Sequence, residues 1–401
     1  MLKTAPKLLI LQFVLAHLSH HMATGVLIPI LPILREGFNL NYFQSGILVS
    51  AFSVAYGIGQ VPMAMLADRF KPRPVILLGL AGTSLTAIAV SLTGGFRQMV
   101  VCFIAMGLLG GTYHAPAASF ISEFIPPAKR GRALGMHIIG GTASFSITPA
   151  AALAIASLFH SWRASFFVLA LPALLTAAML WHATRQGQSV GDGVGPATNS
   201  PGEKAVAPAK NGPGASWMEI IRALGVVVCL TVVLQIVISS VNSYLPLYLV
   251  DHHHISPRWA GIVISVIAAA GMVGAPLGGA LSDRFGRRQV VLLTFCLAGP
   301  FFYAVTTAPF GIFLLLALVC YGMAMSFRMA TMESLIADVV PVGRRTTVLG
   351  VYFFMGQEMA GVSTPVVGWF IDRHGLEPVF RILAVGLCVF ALSAYLLRKR
   401  W

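Results

Sequence analysis

Leu66-Ala67-Asp68-Arg69-Phe70-Lys71 and, 215 residues later, Leu281-Ser282-Asp283-Arg284-Phe285-Gly286 are two copies of one short pattern. At the same shift Glu123, Pro126, Lys129, Arg130, Leu134 and Gly135 fall on Asp338, Pro341, Arg344, Arg345, Leu349 and Gly350. Two matched segments at one shift are hard to obtain by chance, so the chain reads as two similar halves in tandem. Both halves are apolar: the 401 residues are 57% hydrophobic and only 10% charged, with a mean hydropathy of +0.82.

A helix crossing a bilayer uses about 20 predominantly apolar residues. Twelve such stretches are expected, over residues 8–34, 44–67, 74–93, 98–122, 133–157, 164–183, 221–249, 258–282, 289–308, 311–337, 347–371 and 379–397. The expected fold is therefore an all-α membrane protein with twelve transmembrane helices in two six-helix repeats. Residues 1–183 make the first bundle and 221–401 the second. Between them, residues 184–220 are expected to form a flexible tether, because Gly, Pro, Ser, Ala and Lys dominate there.

A net charge of +14 in a soluble protein points to nucleic acid, but here the placement of the charges gives another reason for it. With the N-terminus in the cytoplasm, 20 of the 27 Lys and Arg residues fall on the cytoplasmic side. Only Arg35, Arg97, Arg163, Arg258, Arg373 and Arg381 fall on the other, and Arg328 lies within a helix. This is the positive-inside pattern of a multi-pass protein of an inner, or plasma, membrane, with both termini cytoplasmic. Cys102, Cys229, Cys296, Cys320 and Cys388 fall inside expected helices with no paired spacing, so they read as packing residues. The chain shows no P-loop and no pattern that points to an enzyme or a bound cofactor, so an ion or solute gradient would have to drive any transport.

Gly279-Ala280-Leu281-Ser282-Asp283-Arg284-Phe285-Gly286-Arg287-Arg288 resembles the signature loop of the major facilitator superfamily, G-x-L-x-D-R-x-G-R-R. The first-half copy has Ala64 and Lys71 in place of the two glycines. Ser19-His20 and Gly110-Gly111-Thr112-Tyr113-His114-Ala115-Pro116 further resemble the fosmidomycin-resistance branch, whose members export drugs on the proton gradient. Thr24 stands where that branch has an acid, and Ala115 separates His114 from Pro116. The resemblance implies a central cavity lined by helices 1, 4, 7 and 10, a small-molecule substrate, protons as the coupling ion and a monomer in the bilayer.

Ionisable groups inside a membrane are costly unless they face partners or a wet cavity. Helix 1 offers His17, His20, His21 and Thr24, spaced so as to share one face. Helix 4 offers Tyr113 and His114, helix 7 Gln235, Ser239, Asn242 and Tyr244, and helix 10 Arg328 and Glu333. Histidine titrates near pH 6.5, which suits a proton carrier, and His20 and His114 are the leading candidates, with His17 and His21 supporting. Arg328 keeps its charge and needs an anion. Glu333, five residues on, lies roughly 140 degrees around the helix, so Glu358 or an anionic substrate is the better partner. Glu333 and Glu358 are also candidate proton carriers.

The repeated cytoplasmic clusters suggest an inner gate. Asp68 and Arg69 are expected to approach Glu123 and Arg130, as Asp283, Arg284 and Arg287 approach Asp338 and Arg345. His252, His253 and His254 follow one another and share no helical face, so a solvated loop is favoured over a metal site, and no metal is expected. The leading functional reading is proton-coupled efflux of a small amphipathic or anionic compound. An uptake permease for an organic anion, and a non-transporting membrane sensor or scaffold, are the alternatives.

Overall fold

The computed structural model describes residues 6–70, 72–125, 127–185, 217–340 and 361–397. Among them the chain is helical, with no strand. The first half runs α1 (Pro6–Thr24), α2 (Leu27–Gly37), α3 (Tyr42–Phe70), α4 (Pro72–Ser91), α5 (Phe96–Gly110), α6 (His114–Phe124), α7 (Pro127–Leu158) and α8 (Trp162–Arg185). The second runs α9 (Trp217–Leu247), a π turn (Tyr248–His252), α10 (Pro257–Phe285), α11 (Arg287–Thr307) and α12 (Ile312–Val339). A helix over residues 361–374, here α13, and α14 (Leu376–Leu397) complete it.

Among the described residues, nine segments are long and apolar enough to cross a membrane. The other three expected spans fall on α3, α12 and α13, the last described only from residue 361. Most of the expected linker, residues 186–216, lies outside the described residues. Large apolar side chains such as Leu85, Val101, Leu175 and Val389 are exposed, as lipid-facing residues must be.

Two expected spans are not single helices. The first breaks at Gly25 and Val26, because Pro29 has no N–H to give to the Gly25 carbonyl and Pro32 sits within α2. The fourth breaks at Gly111, Thr112 and Tyr113, where Pro116 withholds the N–H that would reach Thr112. Both breaks lie beside the histidines of interest.

The repeat is visible in the packing. Here α3 packs on α5 and α4 on α8, and in the second half α10 packs on α12 and α11 on α14. The glycines at these crossings recur at the shift of 215. Gly59 lies against the Leu108 backbone and Gly274 against that of Met323; Gly107 meets Phe52, and Gly322 meets Ile267. A Cβ on Gly59 would stand 2.7 Å from Leu108 O, and one on Gly274 would stand 2.6 Å from Met323 O. Backbone cannot yield as a side-chain tip can, so small residues are required for the helices to approach. Gly59→Ala and Gly274→Ala are each expected to destabilise the detergent-purified protein by about 1–3 kcal/mol through overpacking, read as a lower melting temperature. Gly386→Ala, which has open space at its Cβ, is the control and leaves it unchanged.

Candidate functional site

The break in the fourth span turns Tyr113 and His114 toward α1. There His17, His20 and His21 occupy one face, as their spacing of three and four requires. His17 Nε2 and His21 Nε2 stand 3.2 and 3.1 Å from His114 Nε2. His17 Nδ1 donates to the carbonyl of His137 at 2.8 Å, and His137 Nδ1 donates to that of Phe13 at 3.1 Å. A carbonyl only accepts, so both protons sit on Nδ1 and the neutral His17 ring presents a lone pair at Nε2. Tyr56 Oη lies 2.9 Å from His114 Nδ1. His114 Nε2 has one hydrogen or one lone pair for two imidazole neighbours, so it cannot make two full hydrogen bonds. The contacts to His137 and Tyr56 hold the His17 and His114 rings in place.

His20 and Tyr113 are fully buried and stacked, with ring centroids 4.9 Å apart. Neither ring nitrogen of His20 has a hydrogen-bond partner among the described residues, a costly state for a buried imidazole. Gly141 on α7 abuts the His17 ring, where a Cβ would stand 2.6 Å from Nε2. Two members of this cluster, Tyr56 on α3 and His137 on α7, were not singled out from the sequence. A lone Tyr or His in an apolar span looks like packing, and neither lies on helices 1, 4, 7 or 10.

In the second half Arg328 is 6% exposed and donates to Gln235 Oε1 on α9 at 2.6 Å. Gln235 Nε2 in turn donates to Ser239 Oγ at 3.1 Å. Gln235 is a neutral amide that orients the guanidinium, a contact outside the expected choice between Glu333, Glu358 and a substrate anion. The side chain of Glu333 and all of Glu358 lie outside the described residues. Asn242 is exposed, two turns from Gln235. Tyr244 belongs elsewhere: its hydroxyl lies 2.9 Å from the carbonyls of Tyr42 and Thr364.

Tyr244 leads to a set of contacts between the halves, at the end of the molecule remote from the linker. Arg35, in the last turn of α2, pairs with Asp251 at 3.0 Å and lies over the Tyr42 ring, 4.2 Å from its centroid. Tyr42 Oη donates to the same Asp251 oxygen at 2.8 Å. The two oxygens of Asp372 accept from the N–H groups of Tyr42 and Phe43 at 2.8 and 2.9 Å. A carboxylate of one half thereby caps a helix N-terminus of the other, the favourable sign for the helix dipole. The π turn, where His253 N–H reaches back to Tyr248 O, places Asp251 in this latch. Alongside, α7 and α10 pack closely: Gly261 meets Pro149 O, and Ala150 N–H donates to Ser265 Oγ at 3.0 Å. A cleft of about 530 Å³ opens beside the latch, lined by Pro32, Arg35, Glu36, Asp251 and Asp372 among others. None of the latch residues was assigned a role from the sequence.

Of the expected inner gate, Asp283 and Arg284 are exposed and Arg287 is half-buried. Arg284 lies over the Phe285 ring at 5.3 Å. The side chains of Asp68, Arg69, Glu123, Arg130 and Asp338, and all of Arg345, lie outside the described residues.

Comparison with known proteins places this geometry in context. The family model of the Major Facilitator Superfamily matches residues 13–363. The chain is 24% identical to the "Uncharacterized MFS-type transporter YfnC" of Bacillus subtilis, over 96% of this chain and 91% of that one. It is 22% identical to the fosmidomycin resistance protein of Escherichia coli, over 92% and 88% respectively. With the proline/betaine transporter of Escherichia coli the identity is 23%, over 84% and 72%. Among solved structures, a bacterial homologue of the human lysosomal transporter Spinster, inward-facing and occupied, superposes with a TM-score of 0.82 at 18% identity. That superposition covers 99% of this chain and 98% of the other.

Proposed function

The chain belongs to the major facilitator superfamily, and from that premise we propose that it exports a small anionic or amphipathic compound in exchange for protons, by alternating access. The membership makes it a multi-pass membrane transporter and not an enzyme. The observation that carries the coupling is the convergence of His17, His21 and His114, with His20 buried beside them. Imidazole takes and releases a proton at small energetic cost, and an exchange cycle needs a group whose protonation differs between its two faces.

Arg328, oriented by Gln235, supplies the charge that holds an anion. Bundles over 1–183 and 221–401 rock about the central cavity, tethered by 184–220, in a monomer whose termini face the cytoplasm of an inner membrane. In that orientation the Arg35–Asp251 contact is an outer gate. The repeated clusters around Asp68 and Asp283 then form the inner gate that closes when the latch opens. The name of the fosmidomycin-resistance relative suggests the first probe, since fosmidomycin is a small phosphonate anion.

Expression in an efflux-deficient strain, challenged with a compound panel that includes fosmidomycin, tests the reading. Resistance that a protonophore abolishes supports it, and a panel with no protected compound counts against export. Uptake of an organic anion anchored by Arg328 is the second reading, in which the same strain accumulates the compound and becomes more sensitive. Arg328→Lys is expected to weaken binding of an anionic substrate, because Lys keeps the charge but loses the planar fork. The apparent KM for transport checks this, and an unchanged KM removes the anion anchor.

A further inference from the structure

His17, His21 and His114 are spaced for a second kind of cation. Their ligand-capable ring nitrogens lie within 4.8 Å of one another, and two of the three edges measure 3.2 and 3.1 Å. A zinc-class ion with metal–nitrogen bonds of about 2.0 Å sets tetrahedral nitrogens about 3.3 Å apart. Two edges therefore already have about that length, and the third is within 4.8 Å. We propose that these three histidines form a transition-metal site of the zinc(II) class inside the first helical bundle.

The surroundings support the same reading. Metal-binding imidazoles usually engage their second nitrogen in a hydrogen bond that fixes the tautomer and aims the first. His17 does so through the His137 carbonyl and His114 through Tyr56. A fourth imidazole waits nearby. The His20 ring centroid is 5.2 Å from that of His21 and 5.4 Å from that of His114, and its fully buried nitrogens have no partner among the described residues. An all-imidazole set selects zinc, copper, nickel or cobalt over magnesium and calcium, which prefer oxygen. No carboxylate belongs to the ligand set, so the ligands leave the charge of the ion unoffset. His17 is buried, and His21 and His114 are half-buried. The three nitrogens that bind a metal are lone-pair donors toward any cation, so the proposal stands whether or not a proton uses them in transport.

The test uses the full chain, purified in detergent with any affinity tag removed, and needs no transport substrate. Titration with zinc chloride, followed by calorimetry, is expected to show one ion bound per chain and removed by EDTA. His17→Ala, His21→Ala and His114→Ala are each expected to weaken binding by roughly tenfold or more, and Tyr56→Phe by a smaller factor. Substituting His252, His253 and His254 together by Asn leaves binding intact. Cobalt(II) is expected to give the intense visible absorption of a four-coordinate site. Size-exclusion profiles that match wild type identify folded variants, and His21→Asn serves where His21→Ala does not fold. Absence of zinc binding by wild type, equal binding by the folded histidine variants, or the pale spectrum of six-coordinate cobalt overturns the proposal.

Discussion

His114→Ala is expected to reduce pH-gradient-driven flux to the level seen with a protonophore, while exchange of the same compound at equal pH on both sides continues. His114 is the hub of the cluster: its Nε2 meets both His17 and His21, and its Nδ1 meets Tyr56. Removing it separates α1 from the start of α6 as a proton-sharing unit, whereas the Arg328–Gln235 pair lies in the other half and is untouched. Exchange needs only rocking of the loaded carrier. Net coupled flux also needs a group that changes its proton between the two faces. His20→Ala is expected to act in the same direction, because His20 is buried against Tyr113 beside the hub. Flux assays in proteoliposomes, with the compound identified by the resistance panel, check both variants. Full gradient-driven flux in both returns the histidines to a packing role and moves Glu333 or Glu358 to the front as proton carrier.

Asp251→Asn is expected to shift the resting population toward the state open at the latch end. The carboxylate accepts from Arg35 at 3.0 Å and Tyr42 at 2.8 Å, and both partners belong to the other half. Hydrogen bonds to a charged group contribute about 1.5–3 kcal/mol each when buried. Arg35 and Asp251 are 29% and 25% exposed, so about 1–2 kcal/mol is the reasonable net loss after screening. Each 1.4 kcal/mol is about tenfold in an equilibrium between two states. Spin labels at Asn39→Cys and His254→Cys, in a chain freed of its five native cysteines, report the separation across the latch. A longer-distance population is expected in Asp251→Asn, with Arg35→Gln producing the same change and the double variant little more. An unchanged distance distribution in both single variants denies the latch any part in conformational balance.

The repeat was legible because its signal is local and doubled: Asp68-Arg69 and Asp283-Arg284 lie in short matched segments. The packing confirms it with glycine pairs that no motif search needed. The histidine face of α1 was legible too, since helical periodicity alone brings His17, His20 and His21 together. Which side chain would meet that face was only partly legible. His114 was marked by its Gly-rich and Pro-containing surroundings, whereas His137 and Tyr56 carry no local mark and depend on how α7 and α3 cross α1 and α5. The latch was illegible for the same reason on a larger scale. Arg35 and Asp251 are 216 residues apart, and Tyr42 and Asp372 are 330 apart. Charge counting saw Arg35 only as a minority cation on the outer side. The Gln235 contact of Arg328 was not legible, because a neutral amide on a helix 93 residues away carries no charge signal.

The most direct measurement is accumulation of the panel-identified compound in proteoliposomes of the wild-type protein, with the lumen acid relative to the bath and again at equal pH. Outward proton flow through an exchanger draws the compound inward. The lumenal concentration is therefore expected to rise above the bath under the gradient, to fall back when a protonophore is added, and to stay level in His114→Ala. Equal accumulation with and without the gradient in the wild-type protein contradicts proton-coupled exchange.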